Sequence, residues 1–240
     1  MLLIALAVAA GLVAYDVRQG GLHLPGPFNF GASGPEPSTP ADNPDVDPSA
    51  VVEAGAGTFG FAPGDGPIVG AGGQVLRYRV AVEDGIGIVP DDFGSAVERI
   101  LSDERSWTGG ATLRLQRVSG SSGFDFTVYL ASPVTSEAMC REDGLHTGGY
   151  TNCRLGDGRV VINSARWLTA VDGYGAPLAE YRAYAINHEV GHQLGYHHEL
   201  CPAAGQSAPV MQQQTLGLQG CLPFGWPYRD GARYAGPAAP

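Results

Sequence analysis

Eleven residues hold most of what this chain could use for chemistry: His188-Glu189-Val190-Gly191-His192-Gln193-Leu194-Gly195-Tyr196-His197-His198. Four of the six histidines fall inside this stretch. His188 and His192 are four apart, so on a helix their imidazoles leave the same face and can meet at one metal ion. Glu189 lies one step round, about 100° away, beside the metal rather than bound to it. Gly195 permits the positive φ that a helix C-terminus needs, so the chain can turn there and return His198 from outside the helix. Three imidazoles leave a fourth tetrahedral position for water, the pattern of a catalytic zinc site. Glu189 then stands where a carboxylate could take a proton from that water. His197 is the alternative third ligand or an outer residue, and the spacing favours His198. A helix that merely carries solvated or core histidines does not account for three His and one Glu in these phases.

The elements that must position this stretch follow from apolar periodicity. Val75 to Val82 is β-branched and partly alternating, and is expected to be a strand. Phe93, Val97, Ile100 and Leu101 have helical spacing behind Asp91 and Asp92. Ala111 to Val118 and Phe124 to Leu130 read as two further strands, joined by a Ser-Gly-rich stretch suited to a hairpin or a loop. Residues 132 to 157 read as irregular, with a short edge strand near 149–154. Arg159 to Asn163 reads as a buried strand, and Trp167-Leu168 as packing beneath the sheet. Residues 178–195 are expected to form the long helix that carries the histidines. This order predicts an α+β domain: one twisted mixed sheet, a backing helix, the histidine helix, and a short irregular C-terminal part.

Composition limits the rest. The chain has 240 residues and a formal charge of −10. All fourteen basic residues are Arg. An acidic chain without a basic patch is a poor partner for phosphate backbones, so nucleic acid is not expected to bind. The uncharged apolar run 2–14 is short for a membrane span and matches the core of a signal sequence. Residues 1–18 are therefore expected to be a signal-like segment, or a membrane anchor if uncleaved. No positive charge precedes the run, which is consistent with a true start further upstream. Residues 19–73 are rich in Pro and Gly without apolar periodicity and read as a disordered linker. The folded domain is then expected at 74–230, with 231–240 as a tail and the whole as a monomer. The four cysteines, Cys140, Cys153, Cys201 and Cys221, form no C-x-x-C pair. Behind an export-like N-terminus they are expected to form disulfides, which places the protein outside the cell or in its envelope. Three pairings are possible, and Cys140–Cys153 with Cys201–Cys221 is the simplest.

Residues 188–198 resemble the zinc-binding signature of the metzincin metallopeptidases. Members of that group continue with a Met-containing turn beneath the metal, and Ala208-Pro209-Val210-Met211-Gln212 would supply it through Met211. The element order over about residues 74–225 is also similar to the metzincin N-terminal half. More narrowly, Asn187–His192, Pro209–Gln213 and Val160–Asn163 resemble an uncharacterised actinobacterial family of exported metzincin-like domains. The resemblance implies Zn²⁺ held by His188, His192 and His198, with Glu189 as general base. It also implies an extended peptide substrate lying along the edge strand, and hence an exported zinc metalloendopeptidase. Some metzincins place a Tyr two residues after the Met, where this chain has Gln213. Tyr150, Tyr174 and Tyr228 are the candidates to replace it. Two alternatives use the same ligands: a zinc-binding interaction module without turnover, and a zinc hydrolase of cell-wall peptides. A structural site has no need of Glu189, which favours turnover.

Overall fold

A computed structural model describes residues 48–240. The apolar run 2–14, and with it the signal-like or anchor reading of residues 1–18, lies outside the described residues. Among the described residues no helix is long and apolar enough to cross a membrane.

The strands are β1 (Phe59–Phe61), β2 (Ile68–Val69), β3 (Gln74–Glu83), β4 (Leu113–Arg117), β5 (Phe126–Ala131), β6 (Cys153–Arg154) and β7 (Arg159–Asn163). They build one mixed sheet in the order β2-β4-β3-β5-β7-β6, with β1 paired to β3. The pairs β3/β4, β3/β5 and β5/β7 are parallel, while β1/β3, β2/β4 and β6/β7 are antiparallel. Among the described residues four α-helices accompany them: α1 (Pro90–Ser102), α2 (Pro133–Arg141), α3 (Ser164–Thr169) and α4 (Leu178–Gln193). A small hairpin of β8 (Tyr228–Arg229) and β9 (Ala232–Arg233) lies in the C-terminal part.

The two-residue period of the strands divides the core into two layers. Val80 and Val82 of β3, Phe126, Val128 and Leu130 of β5, and Val160 and Ile162 of β7 share one cluster with α1 and α4. The alternate positions Ala131 and Val161 turn to the opposite face, against Met139 and Cys140 of α2. Central strands covered on both faces need unbroken apolar runs, which is what Arg159–Asn163 displays. The α+β expectation and the main strands and helices are therefore present.

Several expectations need correction. Of the two readings of the Ser-Gly-rich segment after β4, it is the loop and not the hairpin, because β4 and β5 run parallel on opposite sides of β3. The two strands are staggered: Tyr78 is level with both Arg117, the end of β4, and Phe126, the start of β5. That stagger lets residues 118–125 cross β3 at this level, with Val118 N donating to Tyr78 O (2.8 Å) and Asp125 N to Arg77 O (2.7 Å). Helix α2 falls inside a stretch expected to be irregular. Its buried face is Pro133, Ser136, Met139 and Cys140, too polar to show an apolar period. Pro133 at its first turn was the available signal.

The linker expected over 19–73 does not hold for residues 48–73. Phe59–Phe61 pairs with Ala81–Glu83, and Ile68–Val69 with Leu115–Gln116. Strands of two or three residues carry no readable period, and this segment is held chiefly through its backbone. Glu83, buried at the end of β3, organises the attachment. Its carboxylate accepts hydrogen bonds from Gly57 N (2.9 Å), Ser132 N (2.7 Å) and Thr135 Oγ1 (2.6 Å). Burial by itself would raise the Glu83 pKa, but the bonds from Thr135, Ser132 and Gly57 outweigh it and hold the group below the ordinary glutamate value. A depressed folded pKa adds stability above the unfolded value and loses it as pH falls through the folded one. Glu83→Gln is accordingly expected to lower stability at neutral pH by about 1–3 kcal/mol and to flatten the loss between neutral and acid pH. Thermal unfolding of both proteins across that range is the measurement.

The expected tail at 231–240 is also part of the fold. Ala239 N donates to His198 O (2.9 Å) and Leu200 N to Pro237 O (2.7 Å), so the last residues lie along the segment that leaves α4.

Candidate metal centre

Helix α4 presents Tyr184, His188 and His192 at successive four-residue steps, hence on one face. The Nδ1 of His188 lies 2.8 Å from the carbonyl of Val210, and the Nδ1 of His192 lies 2.9 Å from the carbonyl of Tyr196. A carbonyl can only accept, so both rings carry their proton on Nδ1 and keep an Nε2 lone pair for the site.

The helix ends as the sequence predicts. Gly195 has φ +93°. Tyr196 N donates to Gly191 O (2.9 Å) and Gly195 N to His192 O (3.1 Å), the two bonds of a Schellman turn. The same turn places the Tyr196 carbonyl on His192 and brings His198 back towards α4. The Nε2 atoms of His192 and His198 then stand 3.0 Å apart. Ligand atoms of His188, His192 and His198 all lie within 4.8 Å of one another, a set able to hold a metal ion. Two nitrogens bound at about 2.0–2.1 Å to one tetrahedral ion would stand roughly 3.3 Å apart, a spacing close to that of the His192–His198 pair. His197 is exposed and lies outside this cluster, although it lines the same cleft.

Burial controls the protonation of the cluster. It drives the His188 pKa down to about 3, helped by His192 and His198 and opposed by the bond to Val210. Burial likewise lowers His192 and His198. Neutral imidazoles are the form that binds a metal. Glu189 is only 5% exposed, and no hydrogen bond from the described protein engages its carboxylate. Burial pushes its pKa up to about 8.

Met211 is fully buried and packs against α4 at Gly191. It reaches α4 because residue 191 has no side chain: a Cβ there would collide with the Met211 sulfur and stand 2.7 Å from Cζ2 of Trp107. Gly191→Ala must displace one of these groups directly beside His192. It is expected to lower stability by about 1–3 kcal/mol and to reduce the metal retained after gel filtration.

The cleft above the cluster measures about 710 Å³. Tyr150 to Arg154 form one wall, Tyr196 to His198 another, and Gln213, Thr215 and Leu216 a third. The first wall ends in β6, the edge of the sheet. Two bonds secure the loop before it: Glu137 accepts from Thr147 N (2.8 Å), and Asn163 Nδ2 donates to Gly149 O (2.7 Å). Both local disulfides are present, Cys140–Cys153 behind this wall and Cys201–Cys221 beyond His198. Of the three tyrosines considered to replace one at 213, only Tyr150 lines the cleft. The Tyr174 hydroxyl donates to Gln214 Oε1 (2.9 Å), and that of Tyr228 lies against Gly110.

The chain belongs to the family described as "Protein of unknown function (DUF3152)", whose model covers residues 46–222. No curated protein and no solved structure matches the chain. The family's matched span includes β1 and β2 along with all three clustered histidines, Glu189 and Met211, so segment 48–73 belongs with the site-bearing body.

Some supporting residues had no sequence signal. Asn187, next to His188, accepts from Ser106 Oγ (2.7 Å) and donates to Gly225 O (3.0 Å), while its carbonyl accepts from Trp107 Nε1 (2.9 Å). Gln214 donates to Pro209 O (3.1 Å) and Phe224 O (2.8 Å), bracing the turn that holds Met211. Buried amides of this kind look like surface residues until their partners are known.

Proposed function

We propose that this protein is an exported zinc-dependent peptide hydrolase of metzincin type. His188, His192 and His198 would hold the zinc, and Glu189 would act as general base. The observation that carries this reading is the Glu189 carboxylate: buried, without a hydrogen-bond partner among the described residues, and lining the cleft beside three histidines. An unpaired buried carboxylate is costly, and a site that only held a metal would gain nothing from it. When bound by His188, His192 and His198, zinc would supply a Lewis acid able to polarise a carbonyl and to lower the pKa of water. A nearby cation also favours the ionised form of Glu189, offsetting the effect of burial. The carboxylate then takes a proton from the attacking water and delivers it to the departing amine.

The substrate would lie extended along the free edge of β6, pairing by main-chain hydrogen bonds. Tyr150, on the same wall, would be the one of the three candidate tyrosines to meet a peptide carbonyl. Met211 serves by packing rather than by chemistry. Two disulfides support an oxidising compartment, and therefore an extracellular or cell-envelope location.

The test is a chelation and reconstitution experiment. Purified protein should bind one zinc per chain and cleave members of a broad peptide library. Chelation should abolish cleavage and added zinc should restore it. Full zinc occupancy with no cleaved peptide would replace this reading with that of a binding module.

A further inference from the structure

We propose that Arg154 selects substrates that present a carboxylate, an assignment that rests on the peptidase reading and narrows its substrate class. Strand β6 has two residues, and they face opposite ways. Cys153 turns towards α2, where it is bridged to Cys140. Arg154 turns towards α4, where its Nε donates to Gln193 Oε1 at 2.9 Å. Gln193 adjoins His192, so the guanidinium is held close to the metal ligands, on the wall where the substrate would lie.

Among the arginines of the described residues, Arg154 is the one that lines the cleft. The chain carries 24 acidic residues against 14 basic ones. Six other arginines, namely 105, 117, 141, 159, 229 and 233, stand within 4.0 Å of a carboxylate. Arg154 has no carboxylate partner among the described residues, and the only carboxylate lining its cleft is Glu189. Gln193 is neutral and engages only one of the five guanidinium N–H groups. The remaining donors form a planar fork that matches a carboxylate in two parallel hydrogen bonds. Around it the cleft presents the exposed apolar side chains of Leu145, Tyr150, Tyr196 and Leu216. A carboxylate entering this cleft meets one permanent cation among apolar and polar side chains.

The carboxylate could belong to an internal Asp or Glu side chain or to the C-terminus of the peptide, and matched probes separate the two. Zinc-loaded Glu189→Gln protein is titrated with fluorescent peptides in two pairs: an internal Glu against Gln, and a free C-terminal acid against its amide. The carboxylate member of at least one pair is expected to bind about tenfold more tightly, and that pair names the source. Adding Arg154→Gln should remove the preference, while Arg154→Lys should keep part of it. Zinc stoichiometry in each variant shows that the site is intact. Equal binding within both pairs, no binding by any probe, or a preference that survives Arg154→Gln would overturn the assignment. Turnover of the same peptides by the unsubstituted protein is measured alongside. If none is cleaved, the peptidase reading fails, while the binding comparison still decides whether Arg154 reads a carboxylate.

Discussion

Glu189→Gln is expected to bind one zinc per chain, as is expected of the parent, and to hydrolyse peptides on the order of 10³-fold more slowly than it. The substitution is nearly isosteric, so the packing of α4 against Met211 and β7 should persist. A neutral amide cannot accept the proton from water, which removes the proposed step and little else. Stability gives a second readout. In the metal-free protein Glu189 is buried without a partner among the described residues, and burial raises its pKa to about 8. Exchanging it for a neutral side chain removes a group that works against folding, so the metal-free variant should melt at the same temperature or higher. Higher stability with lost turnover is the signature of a residue retained for function. Cleavage at the parent rate would refute the mechanism. Loss of zinc from the variant would instead make Glu189 a ligand.

The sequence was most informative where chemistry is local. His188 and His192 follow from the helical period alone, and Gly195 from the geometry of a helix end. His198 needed only the length of the turn. These residues lie within eleven positions, so no knowledge of the fold was required to group them. The groups that orient them were illegible for a physical reason: the acceptors on His188 and His192 are the backbone carbonyls of Val210 and Tyr196. Any residue supplies a carbonyl, so the sequence cannot mark one. The same holds for the attachment of residues 48–73 and 237–239, which rests on main-chain bonds rather than on an apolar pattern. Arg154 was legible as a residue but not as a wall of the cleft. Its direction depends on the register of β6 against β7, where Arg154 faces Val160.

The two disulfides should fail differently when removed, because each braces a different wall. Cys201 lies three residues beyond His198, and Cys221 lies ten beyond Met211. Their bridge spans 20 residues, for which the chain-entropy model gives about 3 kcal/mol. It joins the segment leaving the third histidine to the segment leaving the methionine turn, whose Val210 carbonyl orients His188. Replacing both cysteines by Ser is therefore expected to lower stability by about that amount and to weaken zinc binding on the order of 10-fold, the range seen when partners of metal ligands are lost. The Cys140–Cys153 bridge, spanning 13 residues, ties α2 to β6 and touches neither His198 nor Met211. Its removal should cost similar stability but act on substrate, raising KM while zinc affinity stays near the parent value. Competition with a chromogenic chelator, together with steady-state kinetics on both double variants, separates the two effects. Equal zinc loss in the two variants would mean that the bridges stabilise the domain as a whole and that neither is dedicated to the metal.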